Sequence, residues 1–149
     1  MSTTMPTAAD LLGRRKRILV TGGAGFIGGA VVRRLLSESD ATVFNLDKMG
    51  YASDLTSITR TLATLGAGAA QRHQLLTVDL SDAEAVRQAV RTADPDLVMH
   101  LAAESHVDRS ISGPGVFVES NVLGTFNLLQ ATREHYENLE EHRKDDFRL

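Results

Sequence analysis

The fold of this chain is decided by the stretch Ile18-Leu19-Val20-Thr21-Gly22-Gly23-Ala24-Gly25-Phe26-Ile27-Gly28, in which an apolar strand passes through three spaced glycines into a helix. Gly22 permits a tight turn after the strand, Gly25 allows a pyrophosphate close to the backbone, and Gly28 lets the helix lie close on the sheet. The unpaired N–H groups at the start of the helix, aided by its dipole, favour a bound phosphate. This G-x-x-G-x-x-G spacing therefore predicts a dinucleotide site.

The residues around the glycines support that interpretation, which a glycine-rich run alone would not, because such runs also mark ordinary turns. Residues 17–20 form a β-rich run, and apolar side chains recur at helical spacing after the glycines. A second apolar run, residues 42–46, ends at Asp47, which lies 19 positions beyond Gly28. A carboxylate there accepts hydrogen bonds from the adenosine ribose and repels a 2′-phosphate, which favours NAD over NADP. The adjacent Lys48 could instead attract that phosphate, and a β-α-β unit without a ligand is the less favoured interpretation.

The composition indicates one domain with a core of its own. The chain has 149 residues, of which 42% are hydrophobic, and a formal net charge of −3. This charge gives no basic field for nucleic acid, and no apolar run is long enough to span a membrane. The sequence has no cysteine, which excludes disulfides and thiolate metal sites and fits a cytoplasmic location. We expect residues 1–16 to be a flexible tail and residues 17–149 to be the dinucleotide-binding domain.

Apolar runs and turn residues predict the rest of the fold as alternating helices and strands. They predict a helix over residues 54–62, a flexible connector over 66–70, a strand over 74–78 and a helix capped by Ser81 and Glu84. A strand over 97–101, a long helix from about Val116 and a further strand from 145 follow. Strands without polar alternation are typical of a sheet that is covered on both faces. We therefore predict an α/β fold, a Rossmann-type doubly wound parallel sheet with strand order 3-2-1-4, truncated after the fourth strand and the start of a fifth.

Four segments carry a resemblance to a known family. They are TGGAGFIG at residues 21–28, Asp47-Lys48 with Tyr51-Ala52, the run PDLVMHLAAESHVDRSI at residues 95–111, and GTFNLL at residues 124–129. Together they resemble the amino-terminal part of the dTDP-glucose 4,6-dehydratases, a group within the extended short-chain dehydrogenase/reductase family. The glycine motif is shared by the whole family, whereas LAAESHVDRSI is distinctive of this group. The resemblance implies an NAD-dependent lyase that oxidises a sugar hydroxyl, eliminates water and returns the hydride.

The resemblance also implies which residues contact the cofactor. Besides the three glycines, the residues implied to line NAD are Phe26, Ile27, Asp47, Lys48, Asp79, Leu80, Leu101, Ala102, Ala103, Ser105 and Ser120. By the same resemblance, Asp79 and Leu80 lie at the adenine, and Ser105 also binds the sugar nucleotide. The chain departs from the family pattern at Gly29, Ser120 and Met49-Gly50, where a serine, a threonine and leucine-threonine are usual.

The catalytic pair of the family is missing from this sequence. The oxidation needs a tyrosine whose pKa is lowered by a lysine four residues further on, because an ordinary tyrosine is a poor base at neutral pH. Tyr51 is followed at that distance by Leu55, and Tyr136 by Glu140. We therefore expect no catalytic residue here, only the NAD-binding portion without its substrate domain, which is inactive alone. The alternatives are the same portion of another extended sugar-nucleotide epimerase or decarboxylase, and a non-catalytic NAD-binding module.

Several histidines and carboxylates could suggest other chemistry. His106 and Asp108 have too few neighbouring ligands for zinc, so we expect no metal site. Glu104 and Asp108 could form a catalytic carboxyl pair, but solvation of Glu104, or an ion pair with Arg109, is the simpler expectation. His100, on the fourth predicted strand, is expected to be a hydrogen-bonded core residue.

The sequence also predicts self-association. Ending the sheet at its fifth strand leaves an edge and apolar faces uncovered, which favours pairing with a second copy. Family members pair through long helices, and the helix that contains residues 117–129 is the candidate surface here. We expect a homodimer or a larger species, and a sugar nucleotide as the small-molecule partner of the full-length enzyme.

Overall fold

The computed structural model describes residues 6–106, 111 and 113–149. In this part of the chain, a four-stranded parallel sheet is formed by β1 (Arg17–Thr21), β2 (Thr42–Asp47), β3 (His73–Thr77) and β4 (Leu97–His100), in the order β3-β2-β1-β4. The parallel pairing and the strand order confirm the predicted Rossmann-type fold. A parallel bridge between Leu97 and Arg148 places the start of a fifth strand beside β4, as predicted.

Helices connect and cover the strands. They are α1 (Ala8–Leu12), α2 (Phe26–Glu38), α3 (Thr56–Leu65), α4 (Ala67–Gln71) and α5 (Ala83–Ala93), followed by the segments Pro114–Phe117, the π-helical Val118–Leu123 and Gly124–Asn138, and finally by Glu141–Lys144. The three segments from 114 to 138 are joined through helical residues and are called the long helix below. The helix ends at Leu139, whose backbone is extended, and so is shorter than the predicted one.

Two apolar cores lie on opposite faces of the sheet. Leu19 of β1 belongs to the core that contains residues of α5 and the long helix. Its neighbours Ile18 and Val20 belong to the core on the side of α1, α2 and α3. Because successive side chains of a strand point to opposite faces, a strand covered twice needs an unbroken apolar run. All three side chains are fully buried, and each contributes about 1.5–3 kcal/mol to folding through its burial.

The first described element, α1, corrects the predicted flexible tail at residues 8–12, whereas residues 1–5 of that tail lie outside the described residues. Thr7 begins α1 with a capping box, in which its hydroxyl accepts from the N–H of Asp10 and its own N–H donates to the Asp10 carboxylate. Ala8 and Leu12 are four residues apart, so both face and join the α2 side of the core. The N–H of Ala8 also donates to Oε2 of Glu38 at 2.9 Å. Residues 8–12 are therefore a docked helix, although the small polar residues around them are typical of a flexible tail.

Two local predictions differ from the structure. The flexible connector at residues 66–70 is largely helical, since α4 begins directly after Gly66, whose positive φ of 85° permits the turn from α3. The cap of α5 is Asp82 rather than Ser81. Oδ1 of Asp82 accepts from the N–H groups of Glu84 and Ala85, and its charge adds a favourable interaction with the helix dipole.

Candidate functional site

A cleft of about 450 Å³ opens at the carboxyl ends of the strands. Its walls come from the loops after all four strands, from the start of α2 and from the long helix. The residues that the sequence predicted to contact NAD all line it, namely Gly22, Gly25, Phe26, Ile27, Gly28, Asp47, Lys48, Asp79, Leu80, Leu101, Ala102, Ala103, Ser105 and Ser120. The carboxyl edge of a parallel sheet is where such folds bind ligands, and here it gathers residues from positions 22 to 120.

Close packing explains the glycines of the loop after β1. Gly22 has a φ of 70°, and a Cβ there would lie 2.7 Å from backbone atoms of Ala102, so a side chain would push the loops after β1 and β4 apart. A Cβ on Gly28 would overlap the carbonyl group of Gly22. Gly28 therefore lets the start of α2 lie against the glycine loop itself, a closer contact than the predicted one between helix and sheet.

The start of α2 presents both polar and apolar groups to the cleft. Its N-cap, Gly25, has no side chain to accept from the first N–H groups of the helix, which leaves them for another acceptor. Phe26 and Ile27 line the cleft and are 97% and 65% exposed. Large apolar side chains that lie this open at the mouth of a cleft are typical of a surface that a ligand covers.

Asp47 links two loops of the cleft. Its Oδ2 accepts from the N–H of Ala24 at 3.0 Å, and its Oδ1 accepts from the N–H of Met49 at 2.9 Å and from Oγ of Ser53 at 2.7 Å. The residue is 8% exposed. Because an ionised carboxylate offers about four acceptor positions, Asp47 retains capacity for about one further donor. The carboxylate is therefore first a tie between the glycine loop and the loop after β2.

Lys48 crosses the cleft to the loop after β4. Its Nζ lies 2.8 Å from Oε1 of Glu104 and 3.3 Å from Oγ of Ser120. The hydrogen bond that Lys48 donates to Glu104 raises the pKa of Lys48, against the opposing effect of burial. Glu104 thus forms an ion pair with Lys48. The expected pair with Arg109, and the carboxyl pair with Asp108, lie outside the described residues.

Glu104 is held in place by the long helix. Its N–H donates to Oδ1 of Asn121 at 2.8 Å, and its carbonyl oxygen accepts from Nδ2 of Asn121 at 2.9 Å. Asn121 lies in the π-helical segment, a geometry that occurs often at functional sites. No sequence pattern marks Asn121, although the amide of an asparagine can both donate to and accept from a backbone and so fix a loop.

A partly buried hydrogen-bond chain joins β1, β4 and the long helix. Nδ1 of His100 lies 2.7 Å from Oγ1 of Thr21, and Nε2 lies 2.9 Å from Oγ1 of Thr125. Thr125 donates its own proton to the carbonyl of Asn121, so it accepts from Nε2–H, and Nδ1 then accepts from Thr21. Burial lowers the pKa of His100, which favours this neutral form. His100 is thus hydrogen-bonded through both ring nitrogens, as predicted, but it is half-buried rather than a core residue.

Asp79 and Leu80 form the wall at the end of β3. Oδ1 of Asp79 accepts from the N–H and the hydroxyl of Ser81, and the backbone bond is the main reason why the pKa of Asp79 lies below its usual range. Leu80 is a buried core residue whose carbonyl accepts from Nδ2 of Asn127. A hypothetical Cβ on Gly124 would lie 2.9 Å from the Leu80 side chain, so the long helix approaches this wall closely.

The remaining side chains of the cleft show no sign of metal chemistry within the described ranges. The hydroxyl of Tyr51 lies 2.8 Å from Nδ1 of His106, and the two rings meet edge to face. No group of three histidine, aspartate or glutamate side chains in residues 6–106, 111 and 113–149 is arranged to hold a metal ion.

None of the helices described for this chain has the length and apolar character needed to cross a bilayer.

Comparisons with known proteins agree with this geometry. The family described as GDP-mannose 4,6 dehydratase matches residues 19–147. The dTDP-glucose 4,6-dehydratase of Salmonella typhimurium is 43% identical over 133 residues, which are 89% of this chain and 35% of the relative. The enzyme of the same name from Neisseria meningitidis is 43% identical over 134 residues, 90% of this chain and 36% of the relative.

Solved structures give the same picture. The dTDP-glucose 4,6-dehydratase DesIV of Streptomyces venezuelae, crystallised with NAD, superposes with a TM-score of 0.69 at 40% identity over 80% of this chain and 36% of its own. The UDP-glucose 4-epimerase of Thermus thermophilus, also in complex with NAD, gives 0.65 at 36% identity over 80% of this chain and 34% of its own. The chain thus spans about a third of the length of the relatives it matches. From the family match over residues 19–147, we conclude that the chain belongs to the GDP-mannose 4,6 dehydratase family.

Proposed function

We propose that this chain is the NAD-binding portion of a dTDP-glucose 4,6-dehydratase. The observation that carries the proposal is the convergence of the predicted cofactor residues on one cleft at the carboxyl edge of the sheet. The relatives named as dTDP-glucose 4,6-dehydratases at 43% identity, and the NAD present in the DesIV crystal structure, support it.

The residues of the cleft fit a dinucleotide. The free N–H groups at the start of α2 suit the pyrophosphate, and the remaining acceptor position of Asp47 suits one ribose hydroxyl. Asp79 and the backbone of Leu80 form the wall for the adenine. The small side chains of Ala102 and Ala103 leave room for a flat nicotinamide beside β4, and Ser105 lies next to them as the contact to the sugar nucleotide.

Bound NAD supplies a hydride acceptor for the sugar hydroxyl, and its reduced form returns the hydride after water is lost. The residues of this chain bind and orient the cofactor, while Thr21, His100 and Thr125 hold the floor of the cleft in one arrangement. A tyrosine followed by lysine four residues later is absent from the sequence. We therefore propose that the chain by itself binds NAD without turning over a sugar nucleotide. Separately, we propose that it functions in the cytoplasm.

The long helix supports a proposed dimer. Its apolar residues Val118, Val122, Phe126 and Leu129 are exposed by 48–63%, and they recur at intervals of three and four, so they share one helical face. Pairing of two such faces removes apolar surface from water.

Light scattering tests the dimer. The wild-type protein should give the mass of a dimer or larger species, and Phe126→Glu should give the monomer mass. A wild-type monomer at high concentration would contradict the proposal.

Calorimetric titration tests the function directly. We expect NAD to bind in a one-to-one ratio, more tightly than NADP, with no loss of dTDP-glucose in a turnover assay. Gly22→Val is the matched negative variant, because its side chain would enter the space of Ala102. Wild-type protein that is folded by circular dichroism but binds neither dinucleotide would refute the proposal.

A further inference from the structure

We propose that Glu104 is a specificity-determining residue of the cleft, which pairs with Lys48 and so withholds a cation from the 2′-phosphate of NADP. The inference rests on the proposed NAD function. It concerns the choice between two dinucleotides, which the sequence left open because Asp47 and Lys48 are adjacent and have opposite charges.

The first step is the position of Lys48. It directly follows Asp47, the carboxylate placed for the adenosine ribose, so its ammonium group is the nearest candidate in the sequence for a 2′-phosphate. The structure shows that the ammonium group is already engaged, at 2.8 Å from Oε1 of Glu104 and 3.3 Å from Oγ of Ser120. A phosphate that recruits Lys48 must first break an ion pair.

The second step is the rigidity of Glu104. Its side chain is 13% exposed, compared with 36% for Lys48, so the carboxylate is the more enclosed partner of the pair. Asn121 fixes the backbone of Glu104 through two hydrogen bonds of 2.8 and 2.9 Å. A carboxylate held by the long helix on one side of the cleft therefore draws a flexible lysine from the other side.

The third step is the charge that remains around the pair. The carboxylates of Asp47 and Asp79 also act on Lys48, so the surroundings of its ammonium group are acidic on two further sides. With Glu104 present, a phosphate near Asp47 meets repulsion and a lysine whose positive charge is already paired. If Glu104 were neutral, one carboxylate would be lost from the surroundings of Lys48, and its ammonium group could turn toward the phosphate.

Glu104→Gln tests the proposal, because it removes the charge and preserves the backbone bonds to Asn121. Calorimetry with NAD and with NADP gives the two dissociation constants, and we expect the ratio of Kd for NADP to Kd for NAD to fall about fivefold. In the double variant Lys48→Met with Glu104→Gln, the ratio should return to the wild-type value, since the cation is gone. Glu84→Gln is the matched control, because it breaks an ion pair of 2.8 Å with Arg87 on α5, away from the cleft.

The outcomes separate this inference from the proposed function. A folded Glu104→Gln variant that binds NAD with an unchanged ratio would overturn the role of Glu104. A ratio that falls as far in the double variant as in the single one would also overturn it, because Lys48 would then not carry the effect. Wild-type protein that binds neither dinucleotide would refute the NAD function itself, and this inference with it.

Discussion

The two ends of the sheet use charge in different ways. At the amino ends of the strands, Asp96 accepts from the N–H groups of Lys16 and Arg17, and Arg143 bonds to both Asp94 and Asp96. These five residues are called the amino-end network. Its carboxylates bind backbone as well as side chains, so its contacts join β1 and β4 and fix the strands.

The carboxyl ends present charge across a gap instead. Lys48 meets Glu104, and Tyr51 meets His106, in each case between the loop after β2 and the loop after β4. Both contacts join side chains that a ligand can rearrange without breaking a strand. The same sheet thus separates two uses of charged side chains: those of the amino-end network hold strands together, and those of Lys48 and Glu104 face the cleft. Substitutions at the two ends of the sheet test this separation.

Gly28→Ala should have the largest effect, because its Cβ would overlap the carbonyl group of Gly22. We expect the free energy of unfolding to fall by about 3 kcal/mol and NAD affinity to fall at least about tenfold. Gly29→Ala is the matched control, since its Cβ would lie 3.5 Å from the nearest atom and alanine favours the helix by up to about 1 kcal/mol. Urea denaturation and calorimetry measure both quantities, and equal losses in the two variants would contradict the packing argument.

Asp96→Ala should affect stability without affecting binding. Removal of the carboxylate leaves the N–H groups of Lys16 and Arg17 without their acceptor and takes one of the two acidic partners of Arg143, so we expect a loss of about 2 kcal/mol in the free energy of unfolding. NAD affinity of the folded protein should stay the same. Asp40→Ala removes an exposed partner of Lys16 and should change neither quantity. A loss of NAD affinity in Asp96→Ala would break the proposed separation of tasks.

The pH dependence of stability should come from one histidine at each end. Burial lowers the pKa of His73, at the start of β3, and of His100, at the end of β4, below the ordinary value of 6.5. The unfolded chain then binds protons first as the pH falls, so stability is constant above about pH 6.5 and decreases below it. Melting midpoints from pH 8 to pH 5 should show this decrease, and His73→Gln should reduce it while NAD affinity stays the same. A midpoint that rises on acidification would contradict the assignment.

Met49→Gly should have the smallest effect, and it should be stabilising. Met49 has a φ of 56°, a conformation that costs an ordinary residue about 1 kcal/mol and that glycine adopts freely. We expect the free energy of unfolding to rise by about 0.5 kcal/mol, because glycine also gains entropy in the unfolded chain. Met49→Ala keeps the strain and is the control. Asp94 also has a positive φ, of 41°, at the other end of the sheet. Asp94→Gly should nevertheless lower the free energy of unfolding, because it removes the ion pair with Arg143.

Most of the sheet could be predicted because its information is local. Each strand is an apolar run that ends near a turn residue, and the parallel arrangement follows from the helices between the strands. The same logic predicted the gathering of residues such as Asp47, Asp79 and Ala102, since the carboxyl ends of parallel strands meet at one edge.

The errors concern contacts between distant segments. No residue near Ala8 indicates that this segment packs on α2, where Ala8 donates to Glu38, 30 residues away. The local sequence therefore predicts a tail instead of a helix. The ion pair between Lys48 and Glu104 joins residues 56 positions apart, and no local pattern in the sequence links them. Asp82, rather than Ser81, caps α5, and the Ser81 hydroxyl donates to Asp79 instead. Which of two adjacent polar residues caps a helix depends on three-dimensional geometry that a linear pattern does not contain.

The double use of Asp47 bears on any attempt to redesign cofactor preference. The obvious substitution, Asp47→Ser or Asp47→Ala, would remove the repulsion of a 2′-phosphate, but it would also release Ala24, Met49 and Ser53 from their common acceptor. Under the proposed role of Asp47 at the ribose, an engineered variant would therefore gain tolerance of NADP and at the same time lose the fixed shape of the glycine loop. A designer would do better to leave Asp47 in place and vary the opposite wall of the cleft, where a change of charge does not loosen the loop.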